Sequence, residues 1–198
     1  SRNIKPPVVD KTKMAEPNKI TYSPPVKKLV DEHVLIKRLL ALIPAIIEFT
    51  EKSTKVDKNL ILNCVDFIRM YADKYHHMKE EDILFKYVDE KSEIIQIMYK
   101  DHITGRNHIK QAVEGAEKGN KAQIKEHLLG YRDLLTQHIK KEDEILYPWI
   151  DRQLSTAQVG EMFRKCNEAD ATVGSALPRK YETFIQELEG KFLQEVKK

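Results

Sequence analysis

Apolar residues recur along this chain at steps of three and four, the spacing that places them on one face of a helix. Leu29, Ile36 and Ile43 belong to such a face. The pattern predicts four long helices with approximate bounds Val26 to Lys52, kinked near Pro44, Asp57 to Asp89, Ser92 to Gly119, and Asn120 to Pro148. The polar residue that opens each of the last three segments is the expected N-terminal cap.

Four long helices joined by short polar loops predict an all-α fold, an up-down-up-down four-helix bundle with short additional C-terminal helices. The additional helices are expected from Ser155 and from Pro178 to about Leu193. Glycine is scarce, with seven residues in 198, and no hairpin turn signal separates alternating segments. We expect a basic, Pro-containing tail over residues 1–25, the bundle over 26–153 and a helical extension packing on it over 154–198.

Charge and composition narrow the functional classes. Charged residues make up 33% of the chain, yet the net charge is only +3, and residues 1–28 alone carry +5. The remainder is slightly acidic, which argues against nucleic-acid binding. No apolar run approaches the roughly 18 residues of a membrane span. The two cysteines, Cys64 and Cys166, form no metal-binding motif, and a reducing cytoplasm fits them best.

One decapeptide occurs twice. His76-His-Met-Lys-Glu80-Glu-Asp-Ile-Leu-Phe85 returns 62 residues later as His138-Ile-Lys-Lys-Glu142-Asp-Glu-Ile-Leu-Tyr147. A histidine and a glutamate four residues apart share one helix face and can bind the same metal ion. Each copy also follows a single histidine that stands after an acidic residue. The predicted metal ligands are therefore His33, His76, Glu80, His102, His138 and Glu142.

Two alternatives stay open within the repeat. His77 and Glu81 are also four residues apart and could replace His76 and Glu80, although the phase of the following apolar residues favours the latter pair. Asp143 could likewise stand in for Glu142.

Imidazole and carboxylate donors without a thiolate suit iron above all, with manganese and zinc behind. Four histidines and two bridging glutamates, with a shared oxo or hydroxo group, would fill ten of the twelve positions around two octahedral ions. One open position per ion would remain. Two adjacent metals of this kind can bind and reduce O2, peroxide or NO.

These residues resemble the signatures of the hemerythrin-like HHE cation-binding domains. The resemblance covers roughly Pro24 to Ile150 and includes Asp31-Glu-His33 and Asp101-His-Ile-Thr-Gly-Arg106 besides the two decapeptides. It implies a four-helix bundle around a non-haem di-iron centre held by the six residues above.

The chain departs from that family in two informative ways. Oxygen-carrying hemerythrins have a fifth histidine where this chain has Arg106. That arginine could hold an anion at the open metal position or pair with a nearby acid. Tyr131, on the face of His138, could line the pocket or simply pack. The iron–sulfur repair members have an N-terminal cysteine-bearing domain, and residues 1–25 contain no cysteine.

Three functions follow from these observations. The first is a di-iron module that binds O2, NO or peroxide for sensing, storage or delivery. The second is an oxidoreductase that decomposes peroxide or reduces NO, so whether the protein is an enzyme stays undecided. The third is a helical interaction protein with a structural metal.

Overall fold

The computed structural model describes residues 19–193, and these are helical without a strand. Helices α1 (Pro24–Lys52), α4 (Glu93–Lys118) and α5 (Lys121–Lys141) are long, and Pro44 lies inside α1. The second rod of the bundle is continuous and consists of α2 (Lys58–Phe67), the π-helix π1 (Ile68–His77) and α3 (Met78–Asp82). Most of the predicted basic tail lies outside the described residues.

The fourth rod has the same construction as the second. Helix α5 continues into the π-helix π2 (Glu142–Leu146) and then into α6 (Tyr147–Asp151). Pro148 explains why the helix widens into a π-helix here, because a proline inside an α-helix clashes with the carbonyl group four residues earlier. That carbonyl belongs to Glu144, in the middle of π2. The wider turn also leaves Ile145 55% exposed, although the repeat pairs it with the half-buried Ile83.

Two of the three predicted caps are confirmed. The side chains of Asp57 and Asn120 accept hydrogen bonds from the backbone N–H groups of Leu60 and Gln123. The prediction that the Ser92 side chain caps α4 is wrong. Helix α4 does begin after it, but the buried Ser92 hydroxyl has no hydrogen-bond partner in the described part of the chain.

Two apolar clusters fill the bundle, and the polar residues of the repeat lie between them. Helix α1 passes first through the smaller apolar cluster, with Val26 and Leu29, and then past His33. It continues through the larger apolar cluster, which begins at Leu35. The second rod runs in the opposite order, α4 repeats the order of α1, and the fourth rod reverses it again. This alternation is the up-down-up-down arrangement that the sequence predicts.

The C-terminal helices α7 (Thr156–Val173) and α8 (Ala176–Phe192) pack on different ends of the bundle. Helix α8 contributes Tyr181 and Ile185 to the larger cluster, and α7 contributes Met162 and Cys166 to the smaller one. Arg38 of α1 pairs with Glu182 of α8 at 2.7 Å. None of the helices within residues 19–193 is long and apolar enough to cross a membrane.

Candidate metal centre

Seven ionisable side chains form a buried layer across the middle of the bundle. Each is at most 5% exposed, and they are His33, His76, His77, Glu80, His102, His138 and Glu142. All six predicted ligands belong to this layer. The seventh member, His77, joins His76 instead of replacing it.

The π-helix π1 brings two adjacent histidines inward. At its end the N–H of Met78 donates to the carbonyl of Asp73, five residues earlier. Such a turn holds an extra residue, so side-chain directions shift relative to a regular α-helix. His76 and His77 both end up buried there, and Glu80 follows in α3. Short π-helical turns are frequently found at functional sites.

The layer contains two groups of donor atoms that share one carboxylate. His33, His76, Glu80 and Glu142 form the first group, which we call the first position. The second position consists of His77, Glu80, His102 and His138. Within each group the donor atoms lie within 4.8 Å of one another.

The distances between imidazoles fit a metal ion. The Nε2 atoms of His33 and His76 are 2.9 Å apart, and those of His102 and His138 are 3.1 Å apart. Two donors at right angles, each about 2.1 Å from one ion, lie about 3.0 Å from each other. Both pairs therefore have the separation expected of neighbouring ligands.

Both glutamates reach the two positions at once. Glu80 Oε1 is 3.9 Å from His76 Nε2, and its Oε2 is 3.3 Å from His102 Nε2. Glu142 Oε2 is 3.1 Å from His33 Nε2, and its Oε1 is 2.8 Å from His138 Nε2. Each carboxylate thus spans the gap between the positions, as a bridging ligand does.

Three of these four carboxylate oxygens have no hydrogen-bond partner with proper geometry in the described part of the chain. They are Glu80 Oε2 and both oxygens of Glu142. A buried anionic oxygen without a donor costs several kcal/mol unless a cation compensates it. Nitrogen and oxygen donors without thiolate, at these spacings, fit two ions of iron, manganese or zinc.

A ring of outer carboxylates holds the histidines and ties each helical rod to the next. In every pair an imidazole Nδ1–H donates to a carboxylate of another rod. The pairs are His33 with Asp143 (2.7 Å), His76 with Glu32 (2.9 Å), His102 with Glu81 (2.7 Å) and His138 with Asp101 (3.1 Å). These contacts fix each Nε2 with its lone pair towards the centre.

A third layer of cations surrounds the carboxylates. Each outer carboxylate accepts from one basic side chain. The contacts are Lys37 to Asp143 (3.2 Å), Lys79 to Glu32 (2.6 Å), Arg106 to Glu81 (2.9 Å) and Lys141 to Asp101 (2.8 Å). The three layers repeat with the sequence, since Lys79 and Lys141 occupy the same place in the two decapeptides, and Lys37 and Arg106 each follow a ligand histidine by four residues.

The pKa values indicate which groups carry protons when no cation is bound. Burial alone would lower the pKa of His33, but its contacts with Asp143 and Glu142 raise it to about 9. For His138 burial is likewise outweighed, mainly by Glu142, and the pKa rises to about 10. Burial and the neighbouring His102 lower the pKa of His77 to about 4. Protons on His33 and His138 therefore stand where a metal would bind, and metal binding releases them.

Tyr147 is a member of the site that the sequence did not indicate, because its aromatic character suggested only a packing role. The ring stacks on His33 with centroids 5.6 Å apart, and the hydroxyl donates to Glu80 Oε1. Its pKa is raised well above the ordinary value by burial and by the negative charges of Glu142 and Glu80. The phenol therefore stays protonated beside the first position.

The two predicted pocket residues lie outside both groups. The Arg106 guanidinium is engaged by Asp73 and Glu81, so it supports the outer layer and pairs with acids as the second sequence interpretation had it. Tyr131 belongs to the larger apolar cluster and packs close to Gly105. Asp143 contacts the outer nitrogen of His33, whereas Glu142 is in the first position.

Comparison with known families agrees with this geometry. Residues 25–150 match the family described as Hemerythrin HHE cation binding domain. Searches of the curated proteins and of the solved structures gave no significant match. The family match spans more than half of the chain and contains all seven residues of the buried layer. The protein therefore belongs to the hemerythrin HHE cation-binding domain family, with two buried histidine and glutamate groups suited to a pair of metal ions.

Proposed function

We propose that this protein is a non-haem di-iron protein that binds O2 or another small diatomic ligand, such as NO, or peroxide, for sensing, storage or delivery. His33, His76, Glu80, His102, His138 and Glu142 would hold the two ions. The observation that carries the proposal is the pair of buried donor groups joined by Glu80, in which three of the four glutamate oxygens have no well-formed hydrogen bond within residues 19–193. Two free, buried cysteines support a cytoplasmic location.

The donor set supports iron over the alternatives, since mixed imidazole and carboxylate ligation at paired sites suits a redox-active metal. When bound, the two ions supply one electron each to a small ligand. Glu80 and Glu142 would each contribute to both positions, and the outer carboxylates keep the imidazoles in the tautomer that a metal requires. Buried apolar clusters on both sides of the layer exclude water from it.

The decisive experiment is metal analysis of protein reconstituted anaerobically with ferrous iron, followed by absorption spectra before and after exposure to O2. We expect two irons per chain, matching the two donor groups, and new visible and near-ultraviolet bands that reverse when O2 is removed. The same measurements on His138→Ala test whether the layer holds the metal. His127→Ala, which changes a half-exposed histidine outside the layer, is the matched control. A single zinc ion with no spectral response would instead support the structural-metal alternative.

One observation supports an oxidoreductase as the second candidate. The Tyr147 hydroxyl donates to Glu80 inside the layer, so a proton stands one hydrogen bond from the first position. Reduction of peroxide or NO consumes protons as well as electrons. If the protein is an enzyme, Tyr147→Phe should lower the turnover of peroxide or NO and leave iron content unchanged. Reversible binding with negligible turnover in the unmodified protein would exclude this candidate.

A further inference from the structure

We propose that His77 is a fifth histidine ligand, which completes the second position, so that a small ligand enters at the first position. The inference rests on the proposed function, because it concerns how the same two ions are held. The sequence analysis considered His77 only as an alternative to His76.

The position of the His77 ring matches that of a ligand. Its centroid is 4.1 Å from that of His102 and 5.7 Å from that of His138. Three other pairs of rings in the layer have centroids 4.6 Å apart, for His33 and His76, 4.8 Å apart, for His102 and His138, and 5.4 Å apart, for His76 and His77. His77 thus surrounds the second position together with two histidines, at comparable separations.

His77 also has a carboxylate and a cation outside it, although this carboxylate belongs to its own rod and those of the other four histidines belong to a neighbouring rod. Its Nδ1 lies 3.5 Å from Asp73 Oδ1, and the Asp73 carboxylate accepts from Arg106 at 2.8 Å. Imidazole, carboxylate and cation follow one another outwards, as they do around His102. A carboxylate beside the outer nitrogen is the arrangement that metal-binding histidines commonly have.

The repeat identifies what occupies the equivalent place at the first position. Since His76 aligns with His138, His77 aligns with Ile139. Ile139 is 1% exposed and belongs to the larger apolar cluster. The residue of the fourth rod that aligns with His77 is therefore apolar and offers no donor atom to a metal ion.

The number of protein donors consequently differs between the two ions. Counting both bridging glutamates, the second position has five donors and the first has four. An octahedral ion with five protein donors keeps at most one exchangeable place, which a ligand shared by the ions can fill. The first position keeps one place more.

Exchanging the two aligned residues tests the inference directly. The variants are His77→Ile, which gives the second position the residue of the first, and Ile139→His, which does the reverse. Each is reconstituted with iron, and three quantities are measured: iron content, Mössbauer spectra of the ferric form, and azide binding by absorbance titration. Azide is the probe because it coordinates ferric iron wherever a place is exchangeable.

In the unmodified protein we expect two irons, two distinct Mössbauer doublets and one azide per chain. His77→Ile should retain both irons, bring the doublets together and bind a second azide. Ile139→His should retain both irons and weaken azide binding at least tenfold. Unchanged doublets and azide stoichiometry in His77→Ile would overturn the inference.

A second variant covers the case in which His77→Ile fails to fold. His77→Gln keeps a buried polar side chain but removes the imidazole, with His127→Gln as the matched control. Altered doublets in His77→Gln alone would support ligation, whereas a lower melting temperature with unchanged doublets would contradict it. If the unmodified protein does not bind an iron pair, the proposed function fails, and that result is distinct from either outcome.

Discussion

The first and second positions are surrounded by the same three layers, and they differ mainly at two aligned pairs of residues. Ile139 is aligned with His77 in the repeat, and Tyr147 stacks on His33 where Phe85 stacks on His102. The stacked rings are similar in shape and placement, with centroids 5.6 and 6.3 Å from those of the histidines. The scaffold is therefore nearly symmetric, and its chemical asymmetry comes from one imidazole and one hydroxyl.

Removing the shared carboxylate should have the largest effect on this comparison, because it affects both positions together. In Glu80→Ala we expect iron content to fall from two ions to fewer than one per chain. The buried histidines would then lack both the carboxylate and the bound metal as partners, so the melting temperature of the reconstituted protein should also fall. Metal analysis and thermal unfolding measure the two effects.

Glu114→Ala, at a half-exposed glutamate of α4 outside the layer, is the control for Glu80→Ala. Loss of only one ion in Glu80→Ala, with the other bound as tightly as before, would contradict the bridging role.

The aligned histidines of the two positions should tolerate substitution unequally. His33→Ala leaves the first position three protein donors, whereas His102→Ala leaves the second position four, because His77 remains. We expect the remaining iron affinity at the altered position to be on the order of tenfold higher in His102→Ala, a difference of about 1.4 kcal/mol. Competition with a chelator of known affinity gives both values. Equal losses would argue against a contribution from His77.

Substitutions of the outer cations should change iron affinity by smaller and unequal amounts. Arg106 supports both Asp73 and Glu81, while its counterpart Lys37 contacts Asp143 alone and is 56% exposed. Substitutions in the outer layer of metal sites commonly cost 10-fold to 100-fold in affinity. We expect Arg106→Ala to approach the lower end of that range and Lys37→Ala to change affinity little, since solvent screens exposed pairs. A larger effect of Lys37→Ala would reverse this order.

The smallest effect is expected from the C-terminal extension, which contacts the first position only through intermediates. Asp170 of α7 accepts from Lys79 at 2.6 Å, and Lys79 in turn holds Glu32 against His76. Asp170→Asn should cost about 1–3 kcal/mol of unfolding free energy, as expected for losing a hydrogen-bonded charge pair. Iron content should stay at two. Chemical denaturation, with Glu168→Gln on the exposed face of α7 as control, measures the difference.

The sequence predicted the bundle and the six residues that meet in the buried layer, because apolar periodicity and a duplicated motif are strong signals. It treated His76 and His77 as alternatives, since a regular helix of 3.6 residues per turn seemed to allow only one of them inward. The π-helix removes that restriction, and periodicity alone does not reveal a π-helix. The role of Tyr147 was hidden because an apolar pattern does not distinguish a packed phenol from a packed phenyl ring.

The outer layer, by contrast, had a signal that could have been used. Glu32 and Asp101 precede the single histidines, and Glu81 and Asp143 follow the bridging glutamates. These acids recur with the motif just as the ligands do. Only their assignment to particular histidines required the three-dimensional structure, since each carboxylate contacts an imidazole of a different rod.

The three repeated layers also bear on the origin of the fold. Duplication of one helical hairpin, with its histidine, its His-x-x-x-Glu motif and their flanking charges, yields such an arrangement, in which each copy completes the other. An ancestor assembled from two identical hairpins would have held two equivalent ions. Divergence after fusion, at the pairs His77 with Ile139 and Tyr147 with Phe85, would then have been enough to make the two positions chemically different.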